Sequence, residues 1–183
     1  MSQILIFLAD GFEEIEGLTV VDLCRRAGID ITTVSITDKP EVVGAHGIAL
    51  KTDTIIDKAG FAEADMIVLP GGMPGTKNLE ACDKLMSRVD AFIADGKKVS
   101  AICAAPTILG HKGHLKDKKS CCYPGMEGEL AGADVSYDKV SVAGNIITSR
   151  GLGTAIPFAL AIIEAITDKA TADKIATSVV YNI

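Results

Sequence analysis

The sequence predicts an α/β domain in which a mostly parallel sheet carries helices on both faces. Short apolar runs alternate with runs whose apolar residues recur at helical spacing, the βαβα pattern of such sheets. Glycines close the helical runs, as Gly28 and Gly96 do, and Pro70-Gly71-Gly72 ends a buried apolar run. With 183 residues the chain suits a single domain, residues 1–183, that buries its core without staples.

Taken in order, residues 3–9 read as an apolar strand. Residues 14–27 read as a helix with Ile15, Leu18, Val21 and Leu23 at helical spacing, stopped by Gly28. Residues 29–36 form the next strand, and residues 42–51, with Gly44 and Gly47, a hairpin or bent pair of strands. A buried strand over 66–69 is followed by one helix over 78–94. Residues 98–102 lead into Cys103 and a short helix to about residue 109. Short β segments follow around 120–123, 135–142 and 146–148, then helices over 154–166 and 171–180. In such sheets ligands bind beyond the carboxyl ends of the strands, where the loops 10–16, 71–75 and 103–106 converge.

Composition narrows the function. At 48% hydrophobic and 23% charged the chain is ordinary globular, without disordered or low-complexity segments. A formal charge of −6 and a pI near 5.0 argue against nucleic-acid or anionic-membrane surfaces and for small molecules or proteins as partners. No apolar run reaches the roughly 18 residues of a membrane span. Met1-Ser2-Gln3-Ile4 lacks the basic start of a secretory signal, so a cytoplasmic protein is expected. Five cysteines without a C-x-x-C pair read as free thiols. Cys24 and Cys82 read as packing residues, and Cys121 and Cys122 would face opposite sides of a strand, which makes a disulfide between them improbable.

Cys103 is the leading candidate for chemistry. An apolar strand runs into Cys103-Ala104-Ala105-Pro106, a turn that would push the thiol out at the sheet's carboxyl end, beside amides that favour thiolate. The alternative is a cysteine that fills core space. Asp10-Gly11-Phe12-Glu13-Glu14-Ile15-Glu16 brings carboxylates to a helix start. Glu13 and Glu14 read as charge on a solvated face, whereas Glu16, inside the apolar run, points toward the crevice. Pro70 to Gly75 allows close backbone approach and can present amides to an oxyanion, or is a plain strand-to-helix turn. His111 and His114 read as solvent-facing, and His46 as the tip of a hairpin.

Three motifs in order, Val68-Leu69-Pro70-Gly71-Gly72, Ala101 to Pro106 and Thr148 to Thr154, resemble the ThiJ/PfpI superfamily. The opening Asp10 to Glu16, with Asp22 to Gly28, is similar to its branch that holds the parkinsonism-associated deglycase. The resemblance implies a flavodoxin-like three-layer sandwich with the cysteine on a nucleophile elbow, usually in a homodimer. Cys103 matches the reactive cysteine, Glu16 its carboxyl partner, and Gly72 and Ala104 the residues whose backbone amides face the oxyanion. The protease-like branch has histidine where Ala104 stands, which argues against a peptidase. The deglycase branch often has histidine where Tyr123 precedes Pro124, and a phenol, with a pKa of about 10, is a poor base. His46 falls where that branch often has an arginine near the dimer partner's site.

The implied function is a cofactor-independent glyoxalase or deglycase acting on methylglyoxal, glyoxal or their early adducts on thiols and amines. Cys103 would form a thiohemiacetal, Glu16 would shuttle the proton, and neither metal nor redox cofactor is called for. The alternative is a redox sensor or stress-protective chaperone that oxidises Cys103. A small amide or ester hydrolase is weakened by the missing histidine.

Overall fold

The computed structural model describes residues 3–181. Met1 and Ser2, part of the segment behind the expectation of no secretory leader, lie outside that range. The chain runs through β1 (Gln3–Leu8), α1 (Glu14–Arg26), β2 (Asp30–Ser35), β3 (Glu41–Val43), β4 (Ala49–Lys51), β5 (Thr54–Ile55), β6 (Ala64–Leu69), α2 (Gly75–Glu80) and α3 (Asp83–Ala94). It continues through β7 (Lys98–Ile102), α4 (Pro106–His111), β8 (Lys119–Ser120), β9 (Asp134–Val135), β10 (Val140–Ala143), β11 (Ile146–Ser149), α5 (Ala155–Ile166) and α6 (Lys169–Ser178). Seven strands form the central sheet in the order β10-β11-β7-β6-β1-β2-β5. All pairs are parallel except β10 with β11.

Alternation along β1 divides the core. Ile4, Ile6 and Leu8 pack with Val20, Cys24, Phe158 and Ile162 on one face, under α1, α5 and α6. Leu5 and Phe7 pack with Leu79, Val89, Phe92 and Ile108 on the other, under α2, α3 and α4. Because β1 is covered on both faces, Ile4 to Leu8 are wholly buried and the strand reads as an unbroken apolar run. The strand order reverses at β1, which leaves a crevice between β1 and β6. No helix among the described residues is long and apolar enough to cross a membrane.

Some boundaries differ from the sequence expectation. The single helix expected over 78–94 is two, broken at Ala81 and Cys82, whose extended Cys82 starts α3. Leu79 and Leu85 are both fully buried. In one continuous helix, six residues would turn them about 120° apart, and the break lets both reach the same core. The expected strand over 120–123 shrinks to β8, leaving Cys121 and Cys122 buried outside any strand with free thiols. Cys121 instead packs its sulfur 3.7 Å from Thr148 Oγ1. The segment expected over 135–142 divides into β9 and β10, and the short edge strand β5 carried too little pattern to be read.

Glu14 corrects the expectation of a solvated helix start. Its side chain is buried, and its Oε1 accepts the His46 amide at 2.8 Å while Oε2 lies 3.0 Å from His46 Nδ1. Gly44 is required beneath it, since a Cβ there would lie 2.3 Å from the Glu14 carboxyl carbon. Burial opposes the charge, but the His46 ring and the amides of Glu14, His46 and Ile48 outweigh it and bring the carboxyl down to about 2. Glu14→Ala is therefore expected to destabilise the fold by about 1–3 kcal/mol at neutral pH, read from urea midpoints. Because the folded value of about 2 lies below the reference of 4.5, this contribution is complete above 4.5 and is lost as pH falls toward 2. The gap between wild type and variant should close over that window; a constant gap would show that the charge is not what holds the hairpin.

Candidate active site

The three loops expected to converge do so at the carboxyl ends of β1, β6 and β7. Their packing depends on positions without side chains. A Cβ on Gly72, which has φ of +89°, would lie 2.3 Å from the Glu13 nitrogen, and one on Gly71 would lie 2.5 Å from Cys103 Cβ and 2.7 Å from Glu16 Oε2. The Glu13 amide donates to the Gly71 carbonyl at 2.9 Å, which ties the first loop to the second.

Cys103 adopts φ of +66°, the left-handed conformation of a sharp strand-to-helix elbow. Its backbone is fixed on both sides, since its amide donates to Ser149 at 2.9 Å and its carbonyl accepts from Tyr123 at 2.7 Å. The thiol is thus aimed by hydrogen bonds to two other segments. Glu16 is 1% exposed on the first turn of α1. One oxygen, Oε2, accepts the Gly71 amide at 2.9 Å, and the other, Oε1, is buried and accepts from no N–H or O–H group. That unfilled oxygen and the Cys103 sulfur border the same small space. A carbon placed as a Cβ on Gly151 would stand 3.8 Å from Glu16 Oε1, 3.9 Å from Cys103 Sγ and 3.5 Å from the Tyr123 ring.

Carboxyl and thiol form one titrating pair. Burial pushes Glu16 up to about 7, against the lowering effect of Cys103 and the Gly71 amide. Burial also pushes the Cys103 thiol up to about 12, reinforced by the charge of an ionised Glu16 and by hydrogen bonding to it, while the amides of Gly72 and Ala104 lower it. The expectation of a thiol below its free value is therefore reversed. The helix that was to supply the field, α4, has 6 residues and begins at Pro106, which has no N–H, so the Gly72 and Ala104 amides act almost alone. Between the two steps the pair holds one proton, shared as thiol with carboxylate or thiolate with carboxylic acid.

The remaining expected residues are placed as follows. Gly72 and Ala104 line the cavity beside Cys103, and their amides lower its thiol's pKa. Tyr123 is half exposed beside Gly151, its ring on the rim of the site. His46 stays on its hairpin, exposed, against Glu14 and with Nδ1 3.6 Å from Glu13 Oε2; the Glu14 hydrogen bond, with the two carboxylate charges, raises its pKa. His111 and His114 are not free in solvent. His111 lies 2.6 Å from Glu80 and 2.9 Å from Glu129, and His114 2.7 Å from Asp90. Glu13, Glu14 and His46 bring ligand-type atoms within 4.8 Å of one another, a set that Glu14 already uses to hold the hairpin.

Three residues of the site were given no individual role by the sequence. Gly71 supplies the amide that orients Glu16, and the absence of a side chain beside Gly72 was the available signal. Met73 and Met126, with Gly72, Cys103, Ala104 and Tyr123, line a cavity of about 250 Å³ at the thiol. Met126 is brought there by a turn closed at 3.1 Å between its amide and the Tyr123 carbonyl, which nothing in the local pattern announces.

Comparison with known proteins agrees with this architecture. The chain is 37% identical over 177 residues to Protein DJ-1 homolog A of Arabidopsis thaliana, covering 95% of this chain but 45% of that relative, so it spans less than half that protein's length. It is 30% identical over 150 residues to Deglycase PH1704 of Pyrococcus horikoshii, covering 81% of this chain and 89% of the relative. The structure of oxidized Toxoplasma gondii DJ-1 superposes with a TM-score of 0.95 at 33% identity, covering 100% of both chains. The DJ-1/PfpI family profile matches residues 2–165, and on this match and this fold the chain belongs to the DJ-1/PfpI family.

Proposed function

We propose that this protein is a cofactor-independent glyoxalase or deglycase that turns 2-oxoaldehydes such as methylglyoxal and glyoxal, or their early adducts on thiols and amines, into 2-hydroxy acids. The observation that carries the reading is the buried Glu16 carboxyl, whose unfilled oxygen borders the same small space as the Cys103 sulfur, a thiol that the Gly72 and Ala104 amides also act on. A thiol alone would add to an aldehyde reversibly. A thiol beside a carboxyl of pKa about 7 can also move protons.

In the proposed sequence Sγ bonds to the aldehyde carbon, and the thiol proton passes through Glu16 to the former carbonyl oxygen. Glu16 then removes the proton from that carbon and delivers it to the neighbouring carbonyl carbon, while the hydroxyl proton on the first carbon's oxygen passes to the neighbouring oxygen, leaving the thioester of a 2-hydroxy acid. Water attacks the thioester, the C–S bond breaks, and hydroxy acid and thiol are released. The electrons that leave the aldehyde carbon stay on its neighbour, so the sequence balances without an external oxidant or reductant. The similarity to Deglycase PH1704 of Pyrococcus horikoshii supports a deglycase, and a role in carbonyl stress follows from such a substrate.

A second reading is favoured by the oxidized state of the superposed Toxoplasma gondii DJ-1: Cys103 as a redox sensor whose oxidised sulfur the Gly72 and Ala104 amides stabilise. Intact mass after limiting peroxide separates the readings, since sulfinate on Cys103 without aldehyde turnover would favour the sensor. We further propose a homodimer, supported by the exposure of Ile15 and Leu18 on α1, in which His46 would approach the second copy's site. A monomer in sedimentation would remove that part.

Glu16→Gln is expected to lower kcat/KM for methylglyoxal by about 100-fold or more with little change in fold, as read by circular dichroism. Near-native turnover by this variant would exclude Glu16 as the proton carrier. In the wild type, turnover and iodoacetamide labelling of Cys103 should both rise through pH 7, where the pair loses its first proton. A first rise near the ordinary thiol value of 9.0 would mean that the two groups titrate apart.

A further inference from the structure

We infer that the wall formed by Met73, Tyr123 and Met126 selects uncharged substrates whose aldehyde carries an apolar substituent of several carbons, an inference that rests on the proposed aldehyde chemistry and names its substrate class. The cavity beside Cys103, about 250 Å³, has an accessible surface that is almost wholly apolar. Apart from the thiol and the Tyr123 phenol, no side chain on its wall is ionisable, so nothing there compensates a carboxylate or phosphate on the substrate. Drug-sized ligands occupy pockets of about 300–1,000 Å³, so this space suits a small molecule and has room beyond the methyl group of methylglyoxal.

The wall is held rather than loose. Tyr123 is tied to the nucleophile's own carbonyl at 2.7 Å, and Met126 closes the turn that Tyr123 begins. Met126 packs partly against the core under α3 and α4, while Met73 is about half exposed between Gly72 and Pro74. Two unbranched thioethers beside an aromatic ring can adapt to a flexible alkyl chain without polar partners. The polar groups of the site, Glu16 and the amides of Gly72 and Ala104, gather at the sulfur. The site thus has a polar end that meets the reacting carbons and an apolar end that meets the substituent.

The first measurement compares 2-oxohexanal with hydroxypyruvaldehyde, an apolar and a polar 2-oxoaldehyde. The expected result is a kcat/KM at least about tenfold higher for 2-oxohexanal, carried mainly by KM, because each methylene in an apolar pocket counts. The second needs no turnover: labelling of Cys103 by N-butyl iodoacetamide against iodoacetamide, each normalised to its rate with glutathione. A normalised preference for the butyl reagent is expected, falling at least about threefold in Met126→Gln and in Met73→Gln, which keep side-chain length and remove apolar character. The exposed Met73 position keeps the test available if Met126→Gln folds poorly. Aldehyde turnover with equal kcat/KM for both substrates would overturn the inference and leave the proposed function standing. A butyl preference without any aldehyde turnover would overturn the proposed function and leave the pocket's selectivity standing. Equal normalised labelling in wild type and both variants would overturn the selectivity itself.

Discussion

A buried carboxyl held against a half-buried thiol is the constraint around which this fold is arranged. Neither Glu16 nor Cys103 has the solvent that would stabilise its charge, and each is positioned by backbone groups of another segment. The Gly71 amide fixes one carboxylate oxygen, and the Ser149 carbonyl and Tyr123 amide fix the cysteine backbone. Those partners lie just after β6, at the end of β11 and in the turn beyond α4, so the pair exists only when the sheet is complete. Glycine at positions 71 and 72 is what lets these segments close on one another.

The same helical turn shows how strongly surroundings decide a carboxyl's behaviour. Glu14 and Glu16 are two residues apart on α1 and both have little exposed surface. Glu14 accepts backbone amides and faces a histidine, and its carboxyl falls to about 2. Glu16 has one amide and one oxygen without any N–H or O–H donor, and its carboxyl rises to about 7. Hydrogen bonding dominates in the first case and desolvation in the second. One is a structural anion and the other a carboxyl that keeps its proton to about neutral pH.

Much of this was legible in the sequence because strand and helix periods differ and because the loops at strand ends carry unusual residues. The sheet, the crevice, Cys103 and Glu16 could be read from apolar runs ending in Cys103-Ala104-Ala105-Pro106 and Pro70-Gly71-Gly72, and from a carboxyl inside an apolar helical run. What escaped depends on contacts between distant segments. The burial of Glu14 needs the hairpin that folds over it, the helix break at Ala81 and Cys82 needs a common core for Leu79 and Leu85, and the cavity wall needs the turn that brings Met126 to Tyr123. The direction of the thiol's shift also escaped. Sequence suggested a helix field, and the actual helix is short and begins with proline.

The raised carboxyl of Glu16 makes folding a proton-binding reaction. An unfolded chain releases that proton near 4.5, while the folded chain keeps it to about 7, so below 4.5 the group is neutral with respect to folding. Through the interval between these values folding takes up a proton, and above it the native state bears a penalty on the order of 3 kcal/mol. At the pH where the pair is armed, the molecule holds part of its potential stability in reserve at a single side chain. A protein whose only demand was rigidity would place leucine there.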